Sequence, residues 1–270
     1  MFELKDINEK YDNLLFYKVV EKKYVESMVQ KGQIYFGLLE DYRKMEQKNM
    51  KEIGDRMEAS LTTLVAEYIK IDGEYHELHG PNAGCNIRIN ANQCAFCCYY
   101  VGLRSFQKVN GNQYQFTLSA SDIASICADK GGEDNCAIVI FDNAVVQKIY
   151  DELHNKHYPY AGKRIIYDDH NYAPEHDIHS PEYAIECTFH KSKRYNYQRE
   201  FRITALNRSK NPIDDIFINV EEKDFDMISL KKGHNLNCLI EYNAQEESER
   251  IVNVYFKILL SLEKVDSNET

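Results

Sequence analysis

Short apolar runs, some alternating and some spaced like one face of a helix, mark out the elements of this chain. The first is Leu14 to Val20, read as a strand that ends in Tyr17-Lys18-Val19-Val20. Within Glu21 to Lys31, Tyr24, Val25 and Met28 recur at helical spacing, and Gly32 stops the helix they predict. A strand over Gln33 to Phe36 and a charged, partly helical connection over Leu38 to Met50 follow. Ile53 to Glu58 reads as a turn leading into an extended stretch from Leu61 to Ile71, where Asp72-Gly73 is a strong hairpin signal. His79 to Asn92, rich in Gly, Asn and Pro, is expected to be loop. Cys94 to Val101 is an apolar strand, and Asn110-Gly111 marks a second hairpin leading to a strand over Gln113 to Ser119. Ser119 or Ser121 is placed to cap a short helix through Ala128, because a hydroxyl before Asp122-Ile123 satisfies free amides at a helix start.

The near-continuous apolar run Asn135 to Phe141 predicts a strand buried on both faces. Asn143 to His157 predicts a helix with Val145, Val146, Ile149, Tyr150 and Leu153 inward. Arg164 to Tyr167 is a short strand, and Asp168 to Pro181 a polar loop. Strands are expected over Gln198 to Leu206, Ile213 to Val220 and Leu236 to Tyr242. Residues 247–265 read as a closing amphipathic helix with Ile251, Val252, Val254, Tyr255, Ile258, Leu259 and Leu262 inward. Strands and helices alternate without a strict βαβ repeat, and no internal repeat or low-complexity linker interrupts them. The expectation is a single α+β domain over residues 1–270.

Composition narrows the function classes. Apolar residues make up 43% and charged residues 28%, which fits a globular chain, and no stretch approaches the roughly 18 apolar residues that span a bilayer. The start, Met1-Phe2-Glu3-Leu4-Lys5-Asp6, lacks a positive run followed by an apolar core, so a cytoplasmic setting is expected. The eight cysteines sit mostly in apolar runs and read as buried thiols. A net charge of −10 argues against sequence-independent binding to nucleic acid over a broad surface, since that binding depends on many basic residues releasing counterions.

Candidate chemistry concentrates in Gln198-Arg199-Glu200-Phe201-Arg202. Alternation along a strand puts Gln198, Glu200 and Arg202 on one face, a carboxylate between an amide and a guanidinium. The same pattern also suits an exposed strand face with an ordinary ion pair. Cys94-Ala95-Phe96-Cys97 has the spacing of half a zinc site, but no second pair supports it, and a strand with inward thiols is the simpler reading. His170, His176 and His179, with Asp168, Asp169, Glu175 and Asp177, form a polar cluster whose default is a solvated loop. The stretch His190 to Tyr197 mixes base and aromatic, as a site for stacked single-stranded bases or a pyrophosphate does, and a solvated turn does equally.

The Gln-x-Glu of Gln198 and Glu200 resembles the pattern of ADP-ribosyltransferases. The opening order is similar too: Leu15-Phe16-Tyr17-Lys18, a helix, then Gly32-Gln33-Ile34-Tyr35-Phe36, with Lys18 where those enzymes carry Arg or His. Phe16-Tyr17-Lys18, Gln33-Ile34-Tyr35-Phe36, Gly54-Asp55-Arg56-Met57-Glu58, Asn135 to Phe141 and Gln198 to Arg202 also follow the motif order of a widespread, uncharacterised bacterial domain family. The resemblance implies a split, mixed β-sheet core with peripheral helices, and NAD as substrate. Glu200 would stabilise the cation that forms as the glycosidic bond breaks, and Gln198 would position the acceptor. Lys18 and Arg43 would hold the dinucleotide, Tyr17, Ser119 and Tyr197 would pack against the nicotinamide or its ribose, and Arg202 would also bind the cofactor. It further implies a toxin or phage-defence effector that modifies single-stranded nucleic acid or protein and pairs with an antitoxin or inhibitor protein, away from membranes. Two other readings stand beside it. One is a nuclease with Asp55, Glu58 and Glu200 on a divalent ion; the other is a non-enzymatic binding or structural subunit of a defence or phage assembly.

Overall fold

The architecture, a computed structural model, describes residues 15–47, 60–65, 68–77, 84–88, 92–102, 105–168, 180–247 and 250–265. It is α+β, with mostly antiparallel sheets and few helices. In chain order the strands are β1 (Leu15–Glu21), β2 (Gln33–Leu38), β3 (Ser60–Val65), β4 (Tyr68–Ile71), β5 (Glu74–Glu77), β6 (Gly84–Arg88), β7 (Gln93–Val101), β8 (Gln107–Asn110) and β9 (Gln113–Leu118). After them come β10 (Cys136–Asp142), β11 (Tyr160–Arg164), β12 (Ile166–Tyr167), β13 (His190–Lys191), β14 (Glu200–Leu206), β15 (Ile213–Phe217), β16 (Asp226–Ser229), β17 (His234–Glu247) and β18 (Arg250–Lys264). The helices are α1 (Lys22–Val29), α2 (Leu39–Gln47), α3 (Ala120–Cys127), α4 (Asn143–Asn155) and α5 (Pro181–Glu186).

The chain divides into two compact units, each built from separate stretches of sequence. The first comprises residues 1–33, 98–149 and 217–270, and the second residues 34–97 and 150–216.

In the first unit β1 lies between β10 and the end of β7, antiparallel to both, and β16 pairs with β10. A second sheet runs β18-β17-β9-β8. Because strand side chains alternate, Leu15, Tyr17 and Val19 enter one core with Ile138, Leu236 and Ile240, while Phe16 points to the opposite face and stacks on Phe141 at 5.7 Å. Gly32 turns α1 into β2 at φ +67, and its carbonyl accepts from the Ile218 N–H at 2.9 Å. A Cβ there would lie 2.1 Å from the Ile218 oxygen, so both the backbone angle and the close approach require glycine.

The closing helix expected over 247–265 is not present. Residues 250–264 are β18, paired antiparallel with β17 from His234↔Lys264 to Glu247↔Arg250. Val252, Val254, Phe256, Ile258, Leu260 and Leu262 are apolar at every second position, a strand period that the helical spacing of Ile251, Tyr255, Ile258 and Leu262 masked. Burial follows the strand period. Ile258, Leu260 and Leu262 pack on the core, and Lys257, Leu259, Ser261 and Glu263 face out.

In the second unit β14 lies between β11 and β7, β2 pairs with β7 and β15, and the short pairs β3-β6, β4-β5 and β12-β13 complete the strands. Asp72-Gly73 turns β4 into β5 with φ of 50 and 94, the left-handed angles that favour this dipeptide in a two-residue hairpin. Two expectations shift here. β6 lies inside the expected loop His79 to Asn92, and the strand expected from Gln198 begins at Glu200.

Candidate functional site

The local path of the chain after α5 builds the site. Ser180 caps α5, its hydroxyl accepting from the Tyr183 N–H at 3.1 Å, and Pro181 occupies the first helical turn, where its missing N–H costs nothing. The helix tightens through a 3-10 turn at Cys187–Phe189 into β13, and a second 3-10 turn spans Lys193–Gln198. Arg199, at φ 44 and ψ 51, ends that turn in the left-handed region and sends Glu200 into β14. This reversal returns Gln198 and Glu200 to Lys191.

Lys191, Gln198, Glu200 and Arg202 form one buried cluster. The Lys191 ammonium donates to Gln198 Oε1 and to Glu200 Oε2, each at 2.9 Å. Arg202 Nε donates to Glu200 Oε1 at 2.8 Å, and a second guanidinium nitrogen lies 2.7 Å from the same oxygen. Another Arg202 nitrogen donates to the Thr188 carbonyl. The Glu200 N–H donates to the Tyr167 hydroxyl at 3.0 Å. Glu200 is only 6% exposed and Arg202 1%.

Charge balance decides the protonation state. Burial acts to raise the Glu200 carboxyl, but the Arg202 and Lys191 charges, with hydrogen bonds from Lys191 and the Cys97 thiol, outweigh it and hold the group well below the usual carboxylate range. Burial pushes the Tyr167 hydroxyl up to about 12, so it stays neutral beside this carboxylate. The exposed-face reading of Gln198, Glu200 and Arg202 therefore does not hold. Their ion pair is a buried one on a strand covered on both faces.

The cluster borders the basic and aromatic stretch that precedes Gln198. The ring of Tyr195 lies 5.0 Å from the Lys191 ammonium and 4.7 Å from the guanidinium carbon of Arg194. Lys191 and Tyr195 are buried, whereas Lys193, Arg194 and Asn196 are exposed. The basic and aromatic stretch is thus neither a solvated turn throughout nor a uniform binding strip. Its inward members serve the ion cluster, and its outward ones form a small basic edge.

The remaining expected site residues are distributed over both units. Tyr197 belongs to the 3-10 turn beside Gln198, and Arg43 lies on α2, both in the second unit. Lys18, Tyr17 and Ser119 belong to the first. Tyr17 stacks on Tyr99 at 4.8 Å in that unit's core. Ser119 is the cap of α3, accepting from the Asp122 N–H at 3.1 Å and donating to the Asp122 carboxylate at 2.6 Å. Asp55, Glu58 and the histidines of the Asp168 to Pro181 loop lie outside the described residues. Asp168 itself meets the buried His190, Oδ2 to Nδ1, at 2.8 Å.

Among the described residues no three His, Cys, Asp or Glu side chains are gathered as metal ligands. Cys94 and Cys97, an odd number of residues apart on β7, fall on opposite faces. Burial raises the Cys94 thiol to about 11, unlike a metal-ligating thiolate. Glu200, with cations on both oxygens, is likewise poorly suited to a divalent ion.

Sequence reasoning missed Lys191, Tyr167 and Cys97 as members of the cluster. Lys191 was visible only as one base among several in His190 to Tyr197, and its inward turn depends on partners seven and nine residues later. Among the described residues no helix is long and apolar enough to cross a membrane. No protein-family model, curated protein or solved structure matches the chain.

Proposed function

We propose that this protein is an NAD-cleaving enzyme of the ADP-ribosyltransferase kind, with its reacting carboxylate at Glu200. The supporting observation is the joining of Gln198 and Glu200 through one ammonium, within a cluster that keeps Glu200 ionised despite its burial. An ionised carboxylate in a dry setting is what stabilises an oxocarbenium-like transition state. A neighbouring amide serves to orient the attacking nucleophile.

In this mechanism the nicotinamide ribose approaches over Tyr195, and Arg194 at the exposed edge meets the dinucleotide's phosphates. A ribose hydroxyl donates to Glu200 Oε2 alongside Lys191, while Arg202 keeps Oε1 and the orientation of the carboxylate. Nicotinamide leaves with the electron pair of the glycosidic bond, and the acceptor oriented by Gln198 adds to the ribose carbon and gives up its proton to solvent. A protein or single-stranded nucleic acid acceptor, and an effector role in defence, belong to the same proposal.

The burial of Glu200, with both oxygens engaged, favours a second reading in which the cluster is a structural brace and the protein a binding subunit. Incubation with NAD separates the two. Wild-type protein is expected to release nicotinamide, and Glu200→Gln, verified as folded by circular dichroism, to lower the rate by about 10²–10³. Folded Glu200→Gln that cleaves NAD at the wild-type rate removes the site; wild-type protein that releases none supports the brace.

A further inference from the structure

We propose that Lys191 is a positioning residue that sets the distance and orientation between Gln198 and Glu200, an inference resting on the NAD-cleaving reading above. Its ammonium sits 2.9 Å from an oxygen of each, so one rigid group spans the two side chains on which the chemistry is placed. Those side chains come from different local structures. Gln198 ends a 3-10 turn, Glu200 starts β14, and the left-handed Arg199 stands between them. The backbone alone allows the amide and the carboxylate to separate by rotation about their own side-chain torsions. A donor shared between them removes that freedom.

Lys191 is itself held in place. It belongs to β13, paired in parallel with β12 through Ile166↔His190 and Tyr167↔Lys191, and the Asp168 N–H donates to the Lys191 carbonyl at 3.2 Å. Its stem is buried and its ammonium lies 5.0 Å from the centre of the Tyr195 ring, a favourable placement for a cation. The residue opposite it on β12, Tyr167, receives the Glu200 N–H, so the same pair of short strands fixes both Lys191 and the start of β14. Arg202 plays a different part. It binds Glu200 Oε1 and ties that carboxylate to the Thr188 carbonyl. Removing Arg202 therefore disturbs the charge of Glu200, whereas removing Lys191 also takes away its hydrogen bond to Gln198.

The test compares Lys191→Met and Lys191→Arg with wild type in steady-state nicotinamide release. Lys191→Met is expected to lower kcat by tenfold or more, roughly the effect of losing one charge-assisted hydrogen bond at the reacting group, with KM within about threefold. Lys191→Arg, whose planar fork spans two oxygens, is expected to recover most of that loss. A Lys191→Met effect confined to KM, or a folded Lys191→Arg no more active than Lys191→Met, overturns the proposal. Nuclear magnetic resonance separates this outcome from failure of the enzymatic reading. In wild-type protein the Lys191 ammonium protons should exchange slowly and show contacts to the Gln198 side chain; a fast-exchanging ammonium overturns the positioning role even without a variant. If no nicotinamide is released but this bridge is observed, the enzymatic reading fails and Lys191 is left as a structural bridge only.

Discussion

Glu200→Gln is also the sharpest test of how the second unit is held together, because it removes one charge and changes almost no volume. In the wild type, two Arg202 nitrogens and the Lys191 ammonium converge on a single carboxylate at 2.7–2.9 Å. Each charged hydrogen bond contributes about 1.5–3 kcal/mol, but summing three ignores the desolvation of three buried ions. The better guide is the cost of removing one partner of a buried pair, about 3–5 kcal/mol, since Arg202 and Lys191 are then left without their counter-charge. The amide makes matters worse by aiming N–H donors at one of the two cations. Against a total stability of about 5–15 kcal/mol, that loss is large. Urea unfolding at neutral pH measures it, with an unchanged slope showing that compactness is preserved. A loss below about 1 kcal/mol, the range of exposed ion pairs, would falsify the claim that this cluster is buried and mutually dependent. The pH dependence gives a second handle. Glu200 titrates far lower in the folded chain than in the unfolded one, so its contribution is complete above the unfolded value of roughly 4.3 and is lost as pH falls toward the folded one. Glu200→Gln should therefore show a shallower decline of stability in acid.

Gly32→Ala should destabilise by about 2 kcal/mol or more, because a Cβ at φ +67 meets the Ile218 oxygen at 2.1 Å; thermal melting reads the change, and an unaltered midpoint refutes the contact. Asp224→Ala should cost about 2–4 kcal/mol in urea unfolding. This buried carboxylate accepts from Lys148 at 2.7 Å and from the Glu221 N–H at 2.6 Å, and its removal leaves that loop unanchored. Stability should also fall at alkaline pH. Burial raises the Cys127 and Cys238 thiols to about 12, so above the unfolded value of roughly 8.5 the unfolded chain alone loses these protons and is favoured. Cys238→Ala should flatten the decline seen in denaturation between roughly pH 9 and 11.

Most of the secondary structure was legible because it is fixed by neighbours in sequence. The continuous apolar run of β10, the helical spacing in α4, the hydroxyl that caps α3 and the Asp72-Gly73 turn each depend on local chemistry that the chain displays in order. β18 was misread for an equally local reason. Its apolar positions satisfy both periods, and the strand is chosen by pairing with β17, whose residues stand 12 positions away at Asn243↔Tyr255 and 30 at His234↔Lys264, a relation that the periodicity of β18 alone does not contain. The two-unit organisation was hidden for a similar reason, since each unit is assembled from stretches far apart in the chain.

The site shows the same boundary between local and distant causes. Alternation put Glu200 and Arg202 on one face of β14, while Gln198 precedes that strand in the 3-10 turn; the expected exposed face ran against the residues that follow. Phe201, Ile203 and Ala205 occupy the other face of β14, and Thr204 and Leu206 continue the first, so little in Glu200 to Leu206 suits a solvated strand face. A strand covered on both sides that still carries Glu and Arg must satisfy both ions internally. Arg202 satisfies one oxygen of Glu200 from two residues away, an arrangement the strand period allows on its own. The other oxygen requires a donor from elsewhere. Lys191 supplies it only because the left-handed Arg199 folds the 3-10 turn back, and that donor then reaches Gln198 as well. Burial of the carboxylate thus demands a second cation, and the position of that cation in turn determines where the amide must sit.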